Sequence, residues 1–436
     1  MRVGRERRLV DRTGSASSIN SLPKRRLLGV VFALELVAIL AVVGGLAYLE
    51  LSPSSDLAVA TGHAAPWPEA TTERTVAPPP VKRITILAVG DLMTHSPQFP
   101  VARTASGYDF NPSFATVAPQ ISAADLAMGN FETVLGGESL GYSGFPRFNA
   151  PDSYAEALVK AGFDVLTTAN NHCLDQGAPA LERTLDAMDR LGVAHTGTAR
   201  TKAEAGTILV KDVEGVKVAI IAYTYAMNGF TPPAGKPWMV NQLDKAAIIA
   251  DIDEAESLGV DLIVVSMHNG IEYARQPSDS QERLERAFVE AGADVVFGSH
   301  PHVIQPMETY EVERSDGTTE TAFIIHSLGN FISNQRDRYC DAGVMVKLTF
   351  EKDLVYHTTQ LTQAEYVPTW VDVTGDAGKK YRVLPVGVDG QATWPEVSSD
   401  DRAKMSRTWS DTTSHLGGIG PSPTDPAGVV FFRAGG

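Results

Sequence analysis

"VVFGSHPHVIQ", Val295 to Gln305, joins an apolar run to two histidines, His300 and His302, separated by a single proline. The run has the composition of a buried strand. A strand sends alternate side chains to opposite faces, so residues two apart share one face. Pro301 fixes the local backbone and favours an extended approach through Ser299–His300. On this reading both imidazoles leave the end of a strand in the same direction. Such a pair suits a metal ion, and it equally suits a turn that happens to contain histidine.

Working outward, the same kind of junction recurs. "RITILAVGD" reads as a strand ending at Gly90–Asp91, "ADLAMGNFE" as one ending at Asn130–Glu132, and "FDVLTTANNH" as one ending at Asn170–His172. "VDLIVVSMHNG" ends at His268, and "GTILVKDVEGVKVAIIAYTY" reads as a hairpin turning near Glu214–Gly215. Amphipathic stretches such as "DSYAEALVKAG", "APALERTLDAMDRLG", "LDKAAIIADIDEAESLG" and "SDSQERLERAFVEAG" lie between the runs and predict helices. "TAFIIHSLGNF" and "AGVMVKLTF" follow without intervening helices. Strand–helix alternation followed by strands predicts an α/β domain, with layered mixed β-sheets flanked by helices, over residues 83–350.

The polar groups Asp91, Asn130–Glu132, Asn170–His172, His268 and His300–His302 all fall at C-terminal strand ends, the edge where open α/β sheets bind ligands. Each alone is an ordinary turn residue; their joint placement favours a binding rim. Carboxylate, amide and imidazole without a cysteine motif fit Mn, Fe, Zn or Mg. The ligand count allows two metals and a bridging carboxylate, a set that activates water and stabilises a phosphoryl displacement. A histidine outside the coordination set is suited to protonate the leaving group.

The 436 residues are 43% hydrophobic and 20% charged, with a net charge of −15. The first 26 carry eight Arg or Lys against Glu6 and Asp11, a net of +6, so the remainder carries −21. That balance argues against a nucleic-acid partner for the body. Leu27 to Leu49 is apolar except for Glu35, and its 23 residues match a hydrocarbon core of roughly 30 Å. The basic flank places the N-terminus in the cytoplasm and the body outside. Residues 1–26 are therefore read as a basic cytoplasmic tail, 27–49 as a single-pass anchor in the cell membrane, and the Pro-rich 50–82 as a tether. Cys173 and Cys340 would meet an oxidising compartment, where pairing is open to them. Residues 351–436 offer no recognisable chemistry, and Asp372 to Gly436 reads as a partly ordered appendage. No dinucleotide-binding glycine pattern or nucleophile elbow is present.

Seven motifs, "AVGDLMTHSPQ", "GNFETVL", "TTANNHCLDQG", "HTGTA", "MHNGIEY", "GSHPHVIQP" and "HSLGNFISNQ", resemble in order and approximate spacing those of the CapA (PGA_cap) family of bacterial capsule-synthesis proteins. The resemblance covers roughly Arg83 to Phe350. It implies a fold similar to calcineurin-like metallophosphoesterases and one or two divalent metal ions. It also implies partners: poly-γ-glutamate or a related anionic surface polymer, and the membrane subunits of a synthase complex. Carried over residue by residue, it implies Asp91, Glu132, Asn171, His268, His300 and His302 as metal ligands. His172 becomes the catalytic acid, with Asp175 orienting it, and Asn130 beside Glu132 contacts substrate. Apart from the resemblance, Arg147 stands alone in the apolar, Gly-rich loop "GYSGFPRFNAP" as a candidate substrate contact. Arg147 has two open readings, a carboxylate or phosphate contact and an ordinary salt bridge.

The chain departs from the pattern in three places. Asp91-Leu92-Met93 lacks the histidine of Asp-x-His, with His95 two positions further on. Asn269 stands where an aromatic residue is usual, and His326, read as a residue that packs or that supports the ligands from behind, stands where Tyr is frequent. A phosphodiesterase acting in the envelope and a noncatalytic scaffold subunit are the two rival readings.

Overall fold

The computed structural model describes residues 80–314, 317–374, 380–387, 397–417 and 432–433. The basic tail, the anchor expected over 27–49 and residues 50–79 of the tether lie outside them. Among the described residues no helix is long and apolar enough to cross a membrane.

Two mixed sheets are stacked. The first is built from β1 (Val81–Leu92), β2 (Leu126–Asn130), β3 (Val165–Thr167) and β4 (Ala194–Thr196), all parallel, which form one wing. The second sheet follows in the chain with β5 (Leu209–Val213), β6 (Val216–Thr224), β7 (Leu262–His268), β8 (Val295–Ser299), β9 (Met307–Glu313) and β10 (Thr319–Ile325). Its order is β9-β10-β8-β7-β6-β5, with four parallel central strands and an antiparallel strand at each edge. The chain then returns to the first sheet through β11 (Asn330–Ile332), β12 (Ala342–Asp353), β13 (Thr359–Thr374) and β14 (Lys380–Pro385). β12 joins β1 on its free side, and β13 and β14 extend the sheet antiparallel from there.

Alternation along each strand explains the layering. Ile84, Ile86 and Ala88 of β1 share one buried cluster with Val218, Ile220, Leu262, Val264, Val295 and Phe297 of the other sheet. The intervening Leu87 and Val89 face the opposite way, against helix α1 (Asp152–Ala161) and part of α2 (Ala178–Leu191). Ile263, Val265 and Val296 likewise turn outward onto α3 (Lys245–Ser257) and α4 (Asp279–Glu290). A strand buried on both faces has no polar side, which is why these segments read as continuous apolar runs. α3 places Ile248, Ile252 and Ala255 on the sheet at helical spacing and starts on an Asp244 side chain that accepts from the Ala246 and Ala247 amides. The result is helix, sheet, sheet, helix.

The hairpin turns at Glu214–Gly215 as expected, with φ of 52° and 83° there. Two expectations change. β1 begins at Val81, inside the stretch assigned to the tether. The region after 350 is more than an appendage where it is described: β13 and β14 belong to the first sheet, and α5 (Ser399–Leu416) packs Met405 into a cluster with Trp370, Leu384, Val386 and Val397. Both cysteines are buried and free, and burial pushes their thiols up, Cys173 to about 12 and Cys340 to about 11.

Candidate metal centre

The C-terminal ends of the parallel strands in the two sheets meet, and the polar groups gather there. Asp91 sits at an irregularity of β1, opposite Asn130 of β2 and Asn330 of β11. Its amide donates to the Gly329 carbonyl at 3.0 Å. Gly90 is required beside it, because a Cβ there would lie 1.9 Å from the Gly329 oxygen. From the second sheet come His268, the last residue of β7, and Ser299, the last of β8, in register with each other.

His300 and His302 do not leave the strand as alternation predicts. β8 ends at Ser299, and the two histidines adopt φ of 98° and 57°. A left-handed conformation at two non-glycine residues is held by its surroundings, against an intrinsic preference of order 1–3 kcal/mol each. The rings still converge, with centroids 5.9 Å apart and His300 4.8 Å from His268.

Two ligand groups result. Asp91, Glu132 and His268 offer atoms within 4.8 Å of one another, and so do Glu272, His300 and His302. Asn171 joins the first, its Oδ1 lying 3.1 Å from His268 Nε2. His302 links them: Nδ1 is 2.9 Å from Asp91 Oδ2 and Nε2 is 3.9 Å from Glu132 Oε1. Glu272 was not anticipated. It is exposed, lies inside the "MHNGIEY" motif and supplies a carboxylate to a set that lacks the histidine of Asp-x-His.

The electrostatics fit a cation. Glu132 is fully buried, and its Oε1 has no hydrogen-bond partner; His300 Nδ1 is also buried and unpartnered. Burial, then the neighbouring Asp91, pushes the Glu132 carboxyl well above its ordinary range. Burial also raises Asp91, but the hydrogen bond and charge of His302, with the Asn130 amide, outweigh it and leave the carboxyl low. Burial and then nearby imidazoles hold His300 down at about 4 and His268 well below its usual value. Neutral imidazoles carry the lone pair that coordination needs, and a cation would relieve the crowding of two buried carboxylates.

Asn130, expected to contact substrate, is buried among the candidate ligands. Its Nδ2 lies 2.8 Å from Asp91 Oδ1, 3.3 Å from Glu132 Oε2 and 3.1 Å from His268 Nδ1. Beside this cluster, His172 Nδ1 lies 2.7 Å from Asp175 Oδ2, which also accepts from the Phe148 amide at 2.7 Å. Arg147 makes no salt bridge among the described residues: Nε donates to the Asp175 backbone carbonyl at 2.6 Å, and the guanidinium lies 5.2 Å from the Phe230 ring centroid. It braces the loop that carries the dyad. His95 is buried, accepts from the Asn334 amide at 3.1 Å and stands edge-on to Phe148. His326 is buried against Glu285.

Asn269 does not leave the rim without aromatic cover. Tyr225 lies 4.5 Å from His300, Tyr273 6.2 Å from His302 and Phe145 6.5 Å from His172, ring centroid to centroid, and all three are exposed. Their loops carry no periodicity that would have marked them. Asn330 is a further unanticipated neighbour, with Oδ1 3.1 Å from His302 Nδ1.

The model of the bacterial capsule synthesis protein PGA_cap matches residues 85–335, a span that contains every one of these groups. The chain belongs to the PGA_cap family. It is 29% identical over 348 residues to the capsule biosynthesis protein CapA of Bacillus anthracis, covering 76% of this chain and 81% of that relative. It is 32% identical over 227 residues to the PGA biosynthesis protein CapA of Bacillus subtilis, covering 51% and 57%. Among solved structures, the calcineurin-like phosphoesterase YfkN of Bacillus subtilis superposes with a TM-score of 0.39 at 14% identity, covering 77% of this chain and 99% of that one. Similarity at that level carries no argument about activity. What the PGA_cap assignment adds to the geometry is a setting, capsule biosynthesis, for a rim of ligand-bearing strand ends.

Proposed function

We infer that this PGA_cap protein carries a metallophosphoesterase-like centre for one or two divalent cations and uses it hydrolytically on an acidic surface polymer, poly-γ-glutamate or a close relative. The observation that carries this reading is the pair of adjoining ligand groups, each with a buried atom left unpartnered, Glu132 Oε1 and His300 Nδ1. Asp91, Glu132, His268 and Asn171 would hold one cation, and Glu272, His300 and His302 the other. Bound there, divalent cations polarise an acyl or phosphoryl oxygen and make water a nucleophile near neutral pH.

The protein's own groups divide the remaining work. The Asp175 carboxylate can only accept, so it fixes the His172 tautomer with the proton on Nδ1 when the ring is neutral. That leaves Nε2 to hand a proton to a leaving atom once the ring is protonated. Arg147 and the Phe148 amide hold Asp175 in place. Tyr225, Tyr273 and Phe145 offer apolar surface to the methylene segments of a polymer. The apolar 27–49 segment supports a setting at the outer face of the cell membrane, within reach of polymer and of membrane subunits.

The test is polymer length. Full-length protein loaded with manganese is incubated with poly-γ-glutamate and followed by size-exclusion chromatography. Shortening that disappears in His172→Ala supports the reading. Intact polymer alongside cleavage of an aryl phosphodiester reassigns the substrate to an envelope phosphodiester. No cleavage of either by cation-loaded protein leaves a scaffold role.

A further inference from the structure

Beside the second ligand group lies a cavity of about 140 Å³ whose wall is strongly cationic. Arg275, Arg336, Arg338, Lys404 and Arg407 line it, against the two carboxylates Asp341 and Asp411. In a chain of net charge −15, five cations around one small cavity are a local reversal of sign, and concave walls focus such a field.

Internal pairing accounts for only part of this charge. Arg338 is spent on Asp411, through contacts of 3.0 and 2.7 Å. Arg336 donates to the Val371 carbonyl at 2.9 Å and its Nη2 lies 3.9 Å from Asp341 Oδ2, and Lys404 Nζ donates to Asp401 Oδ1 at 2.8 Å. Arg275 Nη2 donates to the Asp411 carbonyl at 3.1 Å, while its Nε is buried and has no partner. Arg407 makes no hydrogen bond or ion pair among the described residues. It stands three positions from Lys404 on α5, so both occupy one helix face.

The cavity wall and the metal rim share chain segments. Arg275 follows Glu272 by three residues, and Ile304, also in the wall, follows His302 by two. Asn330, which touches His302, donates to the Cys340 carbonyl at 2.8 Å, between the lining residues Tyr339 and Asp341. α5 closes the far side and clamps the loop, since His415 Nε2 lies 2.9 Å from the Arg275 carbonyl.

We propose that this cavity is a carboxylate-binding subsite, which holds the pendant α-carboxylates of the acidic γ-linked polymer while a neighbouring linkage lies at the cation centre. The assignment deepens the function inferred above and rests on it for the polymer; the anion site itself rests on the charges and the cavity. A polyanion approaching this acidic domain meets, in the cavity, the Arg407 guanidinium and the two N–H donors that the Lys404 ammonium keeps beyond its 2.8 Å contact with Asp401.

The experiment is a binding titration of full-length protein with a short γ-linked glutamate oligomer, by calorimetry, with inorganic phosphate as a separate arm. Lys404→Gln with Arg407→Gln, both exposed on α5, weakens oligomer binding about tenfold, which corresponds to the loss of one or two charge-assisted contacts. His300→Ala leaves the cavity and a measurable share of the affinity intact, so a failed cation centre and a failed subsite give different results. Arg336→Gln serves as a second variant, and thermal midpoints confirm that each variant is folded. Oligomer affinity unchanged in both cavity variants overturns the proposal. Phosphate competing as well as the oligomer also overturns it, by showing a general oxyanion site.

Discussion

His302 Nδ1 lies 2.9 Å from Asp91 Oδ2, a contact between the strand ends of two different sheets. It couples the two ligand groups across the sandwich, so a change in one group is felt by the other. Removing the paired imidazoles takes away most of the second group and loosens the first. His300→Ala with His302→Ala is expected to lower the bound divalent metal from about two ions per chain to one or fewer. Elemental analysis after gel filtration reads the ratio, and an unchanged content would refute the assignment.

Cations that bind only the folded state must stabilise it. At a free concentration one hundred times the dissociation constant, a single site adds about 2.7 kcal/mol. Manganese or zinc is therefore expected to raise the thermal midpoint, and a chelator to return it to the metal-free value. In Asp91→Asn with Glu132→Gln the metal-dependent rise should shrink, with scanning calorimetry as the measurement.

The His172–Asp175 dyad predicts a separation between metal content and turnover. His172→Ala is expected to lose roughly 10²–10⁴ in kcat, the range for a general acid, with metal content retained. Asp175→Asn should lose activity too, through the wrong tautomer, with little change in KM. A variant of either kind that keeps full turnover, on whichever substrate the polymer-length test shows to be cleaved, removes the dyad from the reaction.

Gly90 predicts a stability defect with a steric cause. A methyl group there meets the Gly329 carbonyl oxygen at 1.9 Å, and both partners are backbone. Gly90→Ala is expected to cost about 3 kcal/mol, read from urea unfolding. The displaced Asp91 should weaken cation binding in the same variant.

Asp294 predicts a pH dependence away from the metal centre. Burial pushes its carboxyl up to about 7, opposed by the Ile263 amide, which donates to Oδ2 at 2.7 Å. A carboxyl whose folded pKa is raised favours folding fully below its unfolded value near 4. Its contribution is lost as pH rises toward 7. Asp294→Asn keeps an acceptor for Ile263 and removes the titration. It should flatten stability between pH 4 and 7 and add about 1–2 kcal/mol above pH 7, measured by urea unfolding across that range.

Much of the architecture is legible in the chain itself. β7 and β8 appear as apolar runs because both faces are buried, and α3 shows its apolar stripe at helical spacing. β13 and β14 were harder to see. Thr359–Thr374 mixes polar and apolar residues on a strand near the sheet edge, and such a segment resembles a loop until its neighbour is known. Among site residues, Asp91, Glu132, Asn171, His268, His300 and His302 were visible as polar breaks at strand ends. Glu272 was not, because a loop residue reaches a metal site only through the path of that loop.

What the sequence by itself determined is the set of strand ends bearing ligands, since hydrophobic periodicity is a local property. The tertiary structure alone decided how that set divides into two candidate ligand groups, that His300 and His302 converge through left-handed backbone, and that Asn130 is buried among them. It also decided that arginines from three distant segments form one cationic cavity. Each of these depends on contacts between residues tens to hundreds of positions apart, and such contacts exist only after the two sheets have packed.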